Sequence, residues 1–277
     1  MTDPMRPMRL SAILDLADHG PDTFVGSGPR YPWGSLYGGQ IVAQALRAAA
    51  NTVEEQFQVH SLRAYFIRRG DHDEPVRYEV DRIRNGRTFC TRRVVARQAV
   101  GAILNLEASF QASEESADVE TVGMPIDVPR PDELSLDQWS PVFERAFVSP
   151  KSFGDARRDG LGRAAAWLRA TEPIGEGHHD QACSLAYLSD DLPTDAAVRA
   201  HPIASTLGGE NPFPFTASLD HTIWFHRPIR TDEWHLHDFS CHTFVGGRGL
   251  SIGHVFTESG LHAATIAQEV LLRTRDA

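Results

Sequence analysis

The stretch GGQIVAQALRAAA at residues 38–50 is the strongest fold signal in the chain. Its alanines and leucine favour a helix, its apolar residues recur with helical periodicity, and Gly38 and Gly39 indicate a tight turn into the helix. Segments rich in valine, isoleucine, phenylalanine and tyrosine follow it. We predict strands there, at residues 59–67, 76–84, 88–97 and 102–111. Asn85-Gly86, between the second and third, is a strong hairpin signal, so the sequence predicts a helix followed by an antiparallel meander.

The second half of the chain repeats this order of elements. A strand predicted at residues 164–169 precedes a helix predicted at about 182–201. Further strands are predicted at residues 218–226, 234–243, 250–258 and 262–273. The motif YFIR at residue 65 corresponds to WFHR at residue 224, and the turn NGR at residue 85 corresponds to GGR at residue 246. A nearly constant offset of about 160 residues predicts two copies of one unit.

These copies predict an α+β fold with two tandem units, each with a long helix wrapped by an antiparallel β-sheet. The wrapping follows from composition, because a helix as apolar as residues 38–50 must be covered by its sheet. The segment between the copies is rich in serine, glutamate, aspartate and proline, which is typical of a linker. We therefore predict an N-terminal unit at residues 1–111, a linker at 112–145 and a C-terminal unit at 146–277.

Composition indicates a folded protein and excludes several functional classes. The chain has 277 residues, of which 41% are apolar and 23% charged, as in globular domains. The net charge of −10 argues against general nucleic-acid binding, which needs a basic surface to neutralise phosphates. The three widely spaced cysteines fit neither a disulfide scaffold nor a zinc knuckle. Since no apolar run resembles a signal peptide or could span a bilayer, we expect a cytoplasmic protein without a membrane partner.

Longer motifs allow a family to be recognised. In chain order they are YGGQIVAQA (37–45), HSLRAYF (60–66), ASFQ (108–111), DHTIWFHRP (220–228) and AQE (267–269). On these motifs the chain resembles the acyl-CoA thioesterase II family over nearly its whole length. The resemblance implies a double hotdog fold and the hydrolysis of fatty acyl-CoA to free fatty acid and CoA. It also implies no metal and no organic cofactor, acyl-CoA as the binding partner, and assembly into a homo-oligomer.

The resemblance also implies which residues carry the reaction. In the family an Asp, a Thr and a Gln hold the attacking water, and these positions fall on Asp190, Ser218 and Gln268. Ser218 departs from the family's Thr but keeps a hydroxyl that can bond the water. Asp191 is the alternative position for the acid, because the match at residues 187–190 is short.

Residue chemistry permits these roles and also offers structural readings. Thioester hydrolysis needs a base that works near neutral pH, and desolvation can raise the pKa of an Asp beside apolar residues into that range. Gln and Ser can fix the orientation of a water molecule. Without the resemblance, Asp190 would be interpreted as a helix N-cap or first-turn acid. Ser218 would be a plain strand serine, and Gln268 a polar residue at a strand edge.

Gly38 and Gly39 are the candidate substrate-binding residues. At the start of a helix, unpaired backbone N–H groups and the helix dipole converge, so that developing negative charge on a thioester oxygen could be held there. The alternative is that the glycines permit close packing of the helix into its sheet, and both interpretations stay open. We expect the acyl chain to lie in an apolar tunnel between helix and sheet.

Two further patterns suggest chemistry that we reject. The segment GLSIG at residues 249–253 matches the G-x-S-x-G nucleophile elbow. That motif needs a helix after the serine, whereas the residues that follow here alternate like a strand. His235 and His237 share a strand face, but no third ligand follows at a recognisable spacing, so we expect no metal site.

Two alternative functions remain. A hotdog enoyl-CoA hydratase resembles a G-D-x-N-P-x-H signature, and SDDLPTD at residues 189–195 has a similar rhythm. Asp195 stands where that signature needs a His, so this alternative ranks well below hydrolysis. The second alternative is a non-catalytic acyl-CoA-binding protein, which the serine at position 218 leaves open.

Overall fold

The computed structural model describes residues 8–137, 139–149, 152, 162–203, 213 and 215–273. Within them the helices are α1 (Leu10–Leu14), α2 (Gly38–Ala50), α3 (His178–Leu188) and α4 (Pro193–Ala200), with a short 3-10 helix at Pro131–Glu133. The strands of the first half are β1 (Ala17–Asp18), β2 (Thr23–Gly26), β3 (Phe57–Phe66), β4 (Val76–Asn85), β5 (Phe89–Gln98) and β6 (Gly101–Ala112). Those of the second half are β7 (Leu136–Asp137), β8 (Phe143–Val148), β9 (Arg163–Ala170), β10 (Phe215–Ser218), β11 (Asp220–Phe225), β12 (His235–Val245), β13 (Arg248–Thr257) and β14 (His262–Arg273).

The strands form one antiparallel sheet. Its order is β1-β2-β4-β5-β6-β3-β11-β14-β13-β12-β9-β8-β7, and β10 pairs with β14 outside this path. At the centre β3 pairs with β11, with Leu62 opposite Ile223. This pair joins the strands of the first half of the chain to those of the second half.

The alternating pattern of the sequence locates most of the strands. Each strand predicted in the first half lies within two residues of an observed strand, and the Asn85-Gly86 turn joins β4 to β5. Four of the strands predicted in the second half are equally close to β9, β12, β13 and β14. Two predicted elements differ from the structure, because each is interrupted.

The single helix predicted at residues 182–201 is wrong: two helices occupy this part of the chain. α3 ends at Leu188, and α4 begins at Pro193. Proline has no N–H for a helical hydrogen bond, so it interrupts a helix that would continue through it and is favoured at the first position of a new one. The residues between the helices therefore form a turn, and Asp190 lies in it.

The strand predicted at residues 218–226 is also interrupted, at Leu219. The Asp220 carboxylate accepts a hydrogen bond from the backbone N–H of Glu269 at 2.7 Å. The Asp220 side chain thus accepts a hydrogen bond from the Glu269 N–H of β14, which a backbone carbonyl would accept in a regular antiparallel ladder. The interruption separates β10 from β11 along the same neighbouring strand, β14.

Helices α2 and α3 pack against each other in antiparallel orientation. The Tyr37 hydroxyl before α2 donates to the Tyr187 carbonyl near the end of α3, at 3.0 Å. At the opposite ends, Arg47 of α2 pairs with Asp180 of α3 at 2.5 Å. α2 is buried along almost its whole length, and it contacts strands β3 to β6. The apolar helix is therefore covered by sheet, as its composition predicts.

The predicted linker at residues 112–145 contains regular structure. It includes the 3-10 helix and β7, and β8 begins inside it at Phe143 and pairs with β9. The unit boundaries themselves stay a prediction. Across the ranges that the structure describes, no helix is both long and apolar enough to cross a membrane.

Candidate active site

The turn between α3 and α4 places the acid Asp190 against the N-terminus of α2. Asp190 follows Ser189, the C-cap of α3, and its side chain is buried. A Cβ on Gly38 would lie 2.5 Å from Asp190 Oδ2, and a Cβ on Gly39 would lie 2.3 Å from the Tyr187 carbonyl oxygen. Only glycines allow the acid and the end of α3 to come this close to the helix. The packing interpretation of the glycine pair therefore agrees with the structure.

The three residues that the sequence predicts as catalytic lie together. Ser218 ends β10, and its hydroxyl donates to Asp190 Oδ1 at 3.2 Å. Gln268 on β14 donates through Nε2 to Ser218 Oγ at 2.8 Å. Gln268 and the backbone N–H of Gly39 also donate to the Asp190 carboxylate. Three donors from three elements thus converge on one buried acid.

Burial raises the pKa of Asp190 to about 7. The hydrogen bonds from Gln268, Ser218 and Gly39 favour the ionised form and lower the pKa, but they offset only part of the effect of burial. The neighbouring Asp191 raises it further. A carboxyl group with a pKa near 7 can take up and release a proton at neutral pH, as general acid–base catalysis requires.

Asp191, the alternative position for the acid, has different partners. Its carboxylate accepts from Trp139 Nε1 at 2.7 Å and from Arg145 Nη1 at 2.9 Å. The Asp191 and Arg145 side chains are both largely shielded from solvent. This arrangement is a buried ion pair: burial raises the pKa of Asp191, and the contacts with Arg145 and Trp139 offset part of that rise. It makes Asp191 the weaker candidate for the base.

Sequence reasoning missed two residues behind this group, His221 and Ser189. A regular strand would turn His221 away from Ser218, but the interruption at Leu219 breaks the alternation. His221 Nδ1 contacts Gln268 Oε1, and His221 Nε2 lies 2.8 Å from Ser189 Oγ. The hydrophobic pattern carries no signal for the interruption. The interruption coincides with the hydrogen bond from the Glu269 N–H to the Asp220 side chain, a contact made across the sheet.

The rejected patterns have structural explanations. Ser251 lies on β13 and donates to the Pro193 carbonyl at 2.7 Å, so the segment around it is a strand and not a nucleophile elbow. His235 and His237 lie on one face of β12, with ring centroids 5.0 Å apart. Asp195, the residue at the histidine position of the hydratase signature, lies in the first turn of α4.

One group of three potential metal ligands is present among the described residues. It consists of Asp71, His72 and Asp73, on the turn between β3 and β4. Asp71 accepts from the backbone N–H of Asp73 at 2.8 Å, and His72 Nδ1 accepts from the backbone N–H of Tyr31 at 3.2 Å. Asp73 also pairs with Arg30 at 2.6 Å. These contacts explain the group as a hydrogen-bonded turn.

Comparison with known proteins agrees with this fold. Residues 28–111 match the acyl-CoA thioesterase N-terminal domain, and residues 117–272 match the acyl-CoA thioesterase C-terminal domain. Acyl-coenzyme A thioesterase 8 of Homo sapiens is 34% identical over 98% of this chain and 91% of its own length. Acyl-CoA thioesterase 2 of Haemophilus influenzae is 32% identical over 96% of this chain and 95% of its own.

Solved structures are similar over the same length. Acyl-CoA thioesterase II TesB2 from Mycobacterium marinum has a TM-score of 0.84 and 33% identity, over 95% of this chain and 98% of that one. A protein of unknown function with a hot dog fold from Alicyclobacillus acidocaldarius has a TM-score of 0.75 at 20% identity, covering 95% and 97%, a similarity of fold alone. The class is thus that of hotdog-fold thioester hydrolases. Within it, the chain belongs to the acyl-CoA thioesterase II family.

Proposed function

We propose that the protein hydrolyses fatty acyl-CoA to free fatty acid and CoA, with a water nucleophile that Asp190 activates and that Ser218 and Gln268 position. The observation that supports this most directly is the convergence of Ser218, Gln268 and Gly39 on the buried Asp190 carboxyl, whose pKa is about 7. The proposal needs no metal and no organic cofactor.

The reaction balances with these groups alone. Asp190 takes one proton from the water as its oxygen attacks the thioester carbonyl carbon. When the tetrahedral intermediate collapses, the carbon–sulfur bond breaks and the Asp190 carboxylic acid returns the proton to the leaving sulfur. The products are the fatty acid and the free thiol of CoA. The hydroxyl of Ser218 and the amide of Gln268 hold the water in line with the carbonyl carbon.

The N-terminus of α2 is the proposed site for the thioester oxygen. The unpaired N–H groups of a first helical turn and the helix dipole stabilise the negative charge that develops on this oxygen. Gly38 and Gly39 supply such groups. The Gly39 N–H already donates to Asp190, so Gly38 is the better placed donor for substrate.

The proposal also includes the fold, the place of the acyl chain and the assembly of the protein. We infer that the chain is a double hotdog of two tandem units, because the order of helix and strands recurs and β3–β11 pairing joins the halves. The acyl chain would lie in an apolar tunnel between helix and sheet. We also propose, from the family resemblance, that copies of the chain assemble into a homo-oligomer in the cytoplasm. Sedimentation of the purified protein tests the assembly.

A thiol-release assay with acyl-CoA substrates of graded chain length tests the function. Wild-type protein should release free CoA, and Asp190→Asn should lower kcat by roughly two to four orders of magnitude, the range for loss of a general base. Asp191→Asn is the matched control. If Asp191→Asn causes that loss and Asp190→Asn does not, the base is one residue further along the chain.

The same assay separates the alternatives. With crotonyl-CoA, a hydratase would remove the enoyl absorbance without releasing thiol. A non-catalytic binding protein would bind acyl-CoA and release no thiol even when protein is in excess. Either result would overturn the proposal.

A further inference from the structure

A chain of hydrogen bonds extends behind the proposed catalytic residues. His221 on β11 is fully buried, with Nδ1 against Gln268 Oε1 and Nε2 2.8 Å from Ser189 Oγ. The other end of the Gln268 amide donates to Ser218 at 2.8 Å, and Ser218 donates to Asp190 at 3.2 Å. His221 itself does not contact the water that we place beside Asp190. Any effect it has on the reaction must pass through Gln268.

The donor and the acceptor in each of these hydrogen bonds follow from the ionised state of Asp190. An ionised Asp190 can only accept, so the hydroxyl of Ser218 must donate to it. Ser218 must then accept from the NH₂ group of Gln268, which leaves the Gln268 carbonyl facing His221. A carbonyl only accepts, so His221 must carry its proton on Nδ1.

The surroundings of His221 Nε2 are compatible with a proton on Nδ1. Burial lowers the pKa of His221 to about 4, so the ring is neutral at physiological pH and has one N–H and one lone pair. With the proton on Nδ1, Nε2 is the acceptor. The hydroxyl of Ser189 lies 2.8 Å from Nε2 and 3.0 Å from the Ala186 carbonyl oxygen, and its one proton can be given to either acceptor, so the Gln268 end of these hydrogen bonds sets the tautomer.

We propose that His221 is a positioning residue, which as the Nδ1–H tautomer holds the amide of Gln268 with its NH₂ group towards Ser218 and Asp190. This inference rests on the proposed function for the reaction that Gln268 serves. Without the Nδ1 donor, the amide is free to rotate by half a turn. Its carbonyl then faces Ser218, whose hydroxyl donates to Gln268 instead of Asp190. The carboxylate loses two donors, and it becomes a base only at higher pH.

The tautomer can be measured without any activity. Nitrogen-15 NMR of the intact protein distinguishes a protonated Nδ1 from a protonated Nε2, and loss of the signal in His221→Asn assigns it. We expect the Nδ1–H form at pH 8, where Asp190, with a pKa of about 7, is largely ionised. An Nε2–H tautomer, or a mixture of both, would overturn the inference whether or not the protein is a thioesterase.

A pair of variants tests the effect on the reaction. The side-chain nitrogen of Asn lies close to the place of the His Nδ1, whereas that of Gln lies close to the place of Nε2. His221→Asn should therefore keep kcat and the pH profile near those of wild type. His221→Gln should lower kcat by about tenfold or more with little change in KM, and should move the apparent pKa of kcat/KM upwards.

The control must separate this effect from the loss of any buried imidazole. His235 on β12 is also fully buried and contacts the Glu233 carbonyl at 2.9 Å, so His235→Gln removes a comparable ring. Its pH profile should stay that of wild type. The ionisable groups that act on Asp190, namely Asp191 on the same turn and Tyr37 before α2, are unchanged in all these variants.

A double-mutant cycle tests whether His221 acts through Gln268. In Gln268→Ala, the further change His221→Gln should leave kcat within about twofold, since the amide to be positioned is gone. Additive losses would contradict the inference, and so would a wild-type pH profile in His221→Gln. If wild-type protein releases no thiol from any acyl-CoA, the proposed function fails, and the NMR result still decides the tautomer.

Discussion

Replacing Asp190 by Asn should stabilise the protein while it removes activity. The acid is buried, and its pKa is raised from an ordinary value of 3.8 to about 7. The unfolded chain loses this proton near pH 4 and the folded chain near pH 7. Between these values the folded state retains a proton that the unfolded state has released, so stability falls as the pH rises and stays lower above pH 7.

The size of the effect follows from the shift. A rise of about three units corresponds to about 4 kcal/mol of lost stability, because each unit is about 1.36 kcal/mol. Of this, about 2–3 kcal/mol develops between pH 5 and pH 8. An Asn at this position stays neutral, so it avoids this loss. The free energy of unfolding of Asp190→Asn, relative to wild type, should therefore increase by about 2–3 kcal/mol over that interval.

Urea denaturation of both proteins at pH 5 and at pH 8 measures this difference. Groups that titrate identically in the two proteins cancel in the comparison. Asp180→Asn, which removes an acid paired with Arg47 at the other end of α3, is the control. Its stability relative to wild type should not improve with pH. If the Asp190→Asn difference is the same at both pH values, the carboxylate is not destabilised by burial, and the reasoning about the base fails with it.

Three further predictions concern the same site. The proposed base, Asp190, can act only when ionised, so wild-type kcat/KM should rise with pH and level off above an apparent pKa of about 7; a flat profile from pH 5 to pH 8 would exclude this role. Ser218→Thr should keep most thiol-release activity, whereas folded Ser218→Ala should lose about tenfold in kcat with little change in KM; full activity in the alanine variant would rule out a role for the hydroxyl. Gly38→Ala, with its Cβ 2.5 Å from Asp190 Oδ2, should lower kcat, while Gly39→Ala, with its Cβ against the Tyr187 carbonyl, should lower Tm by roughly 3–10 °C. These assignments would be contradicted if Gly38→Ala lowered only Tm, measured by calorimetry, and Gly39→Ala lowered only kcat.

The sequence predicts the regular elements of the fold because their periodicity is local. Alternating apolar residues define β12 to β14, and the apolar stretch of α2 defines a covered helix. The two interruptions are different in kind. Pro193 interrupts the helical pattern, and the sequence shows this residue. The sequence does not show that the interruption forms a turn which carries Asp190. The break at Leu219 depends on the Asp220 side chain meeting the Glu269 N–H across the sheet, which no local pattern encodes.

The candidate site was predicted by resemblance and not by pattern. Asp190, Ser218 and Gln268 are 28 and 50 residues apart along the chain, and nothing in their spacing indicates that they meet. The sequence does not predict the His221 contact, because a regular strand would place His221 and Ser218 on opposite faces. Of the two interpretations of the glycine pair, close packing agrees with the observed contacts, and oxyanion binding stays part of the proposal.

The two proposed copies differ at the position of the acid. α3 ends at Leu188, and Asp190 follows its C-cap; α2 ends at Ala50, and Thr52 follows its C-cap. Thr52 is therefore the counterpart of Asp190. Its hydroxyl accepts from Arg92 Nε at 2.7 Å and donates to the Ala49 carbonyl at 2.8 Å. A hydroxyl committed to these bonds has neither the charge nor the proton affinity of a general base.

The N-termini of α2 and α3 also differ. Where α2 begins with two glycines, α3 begins with His178 and His179, whose Nε2 atoms lie 3.2 Å from the Val59 carbonyl and 2.8 Å from the Phe57 carbonyl. Imidazole rings thus contact β3 carbonyls beside the start of α3, whereas the Asp190 carboxylate lies beside the start of α2. The N-terminal half supplies the start of α2 and the C-terminal half supplies the acid, so both halves contribute to the proposed site. A change in either half should therefore act on the same reaction.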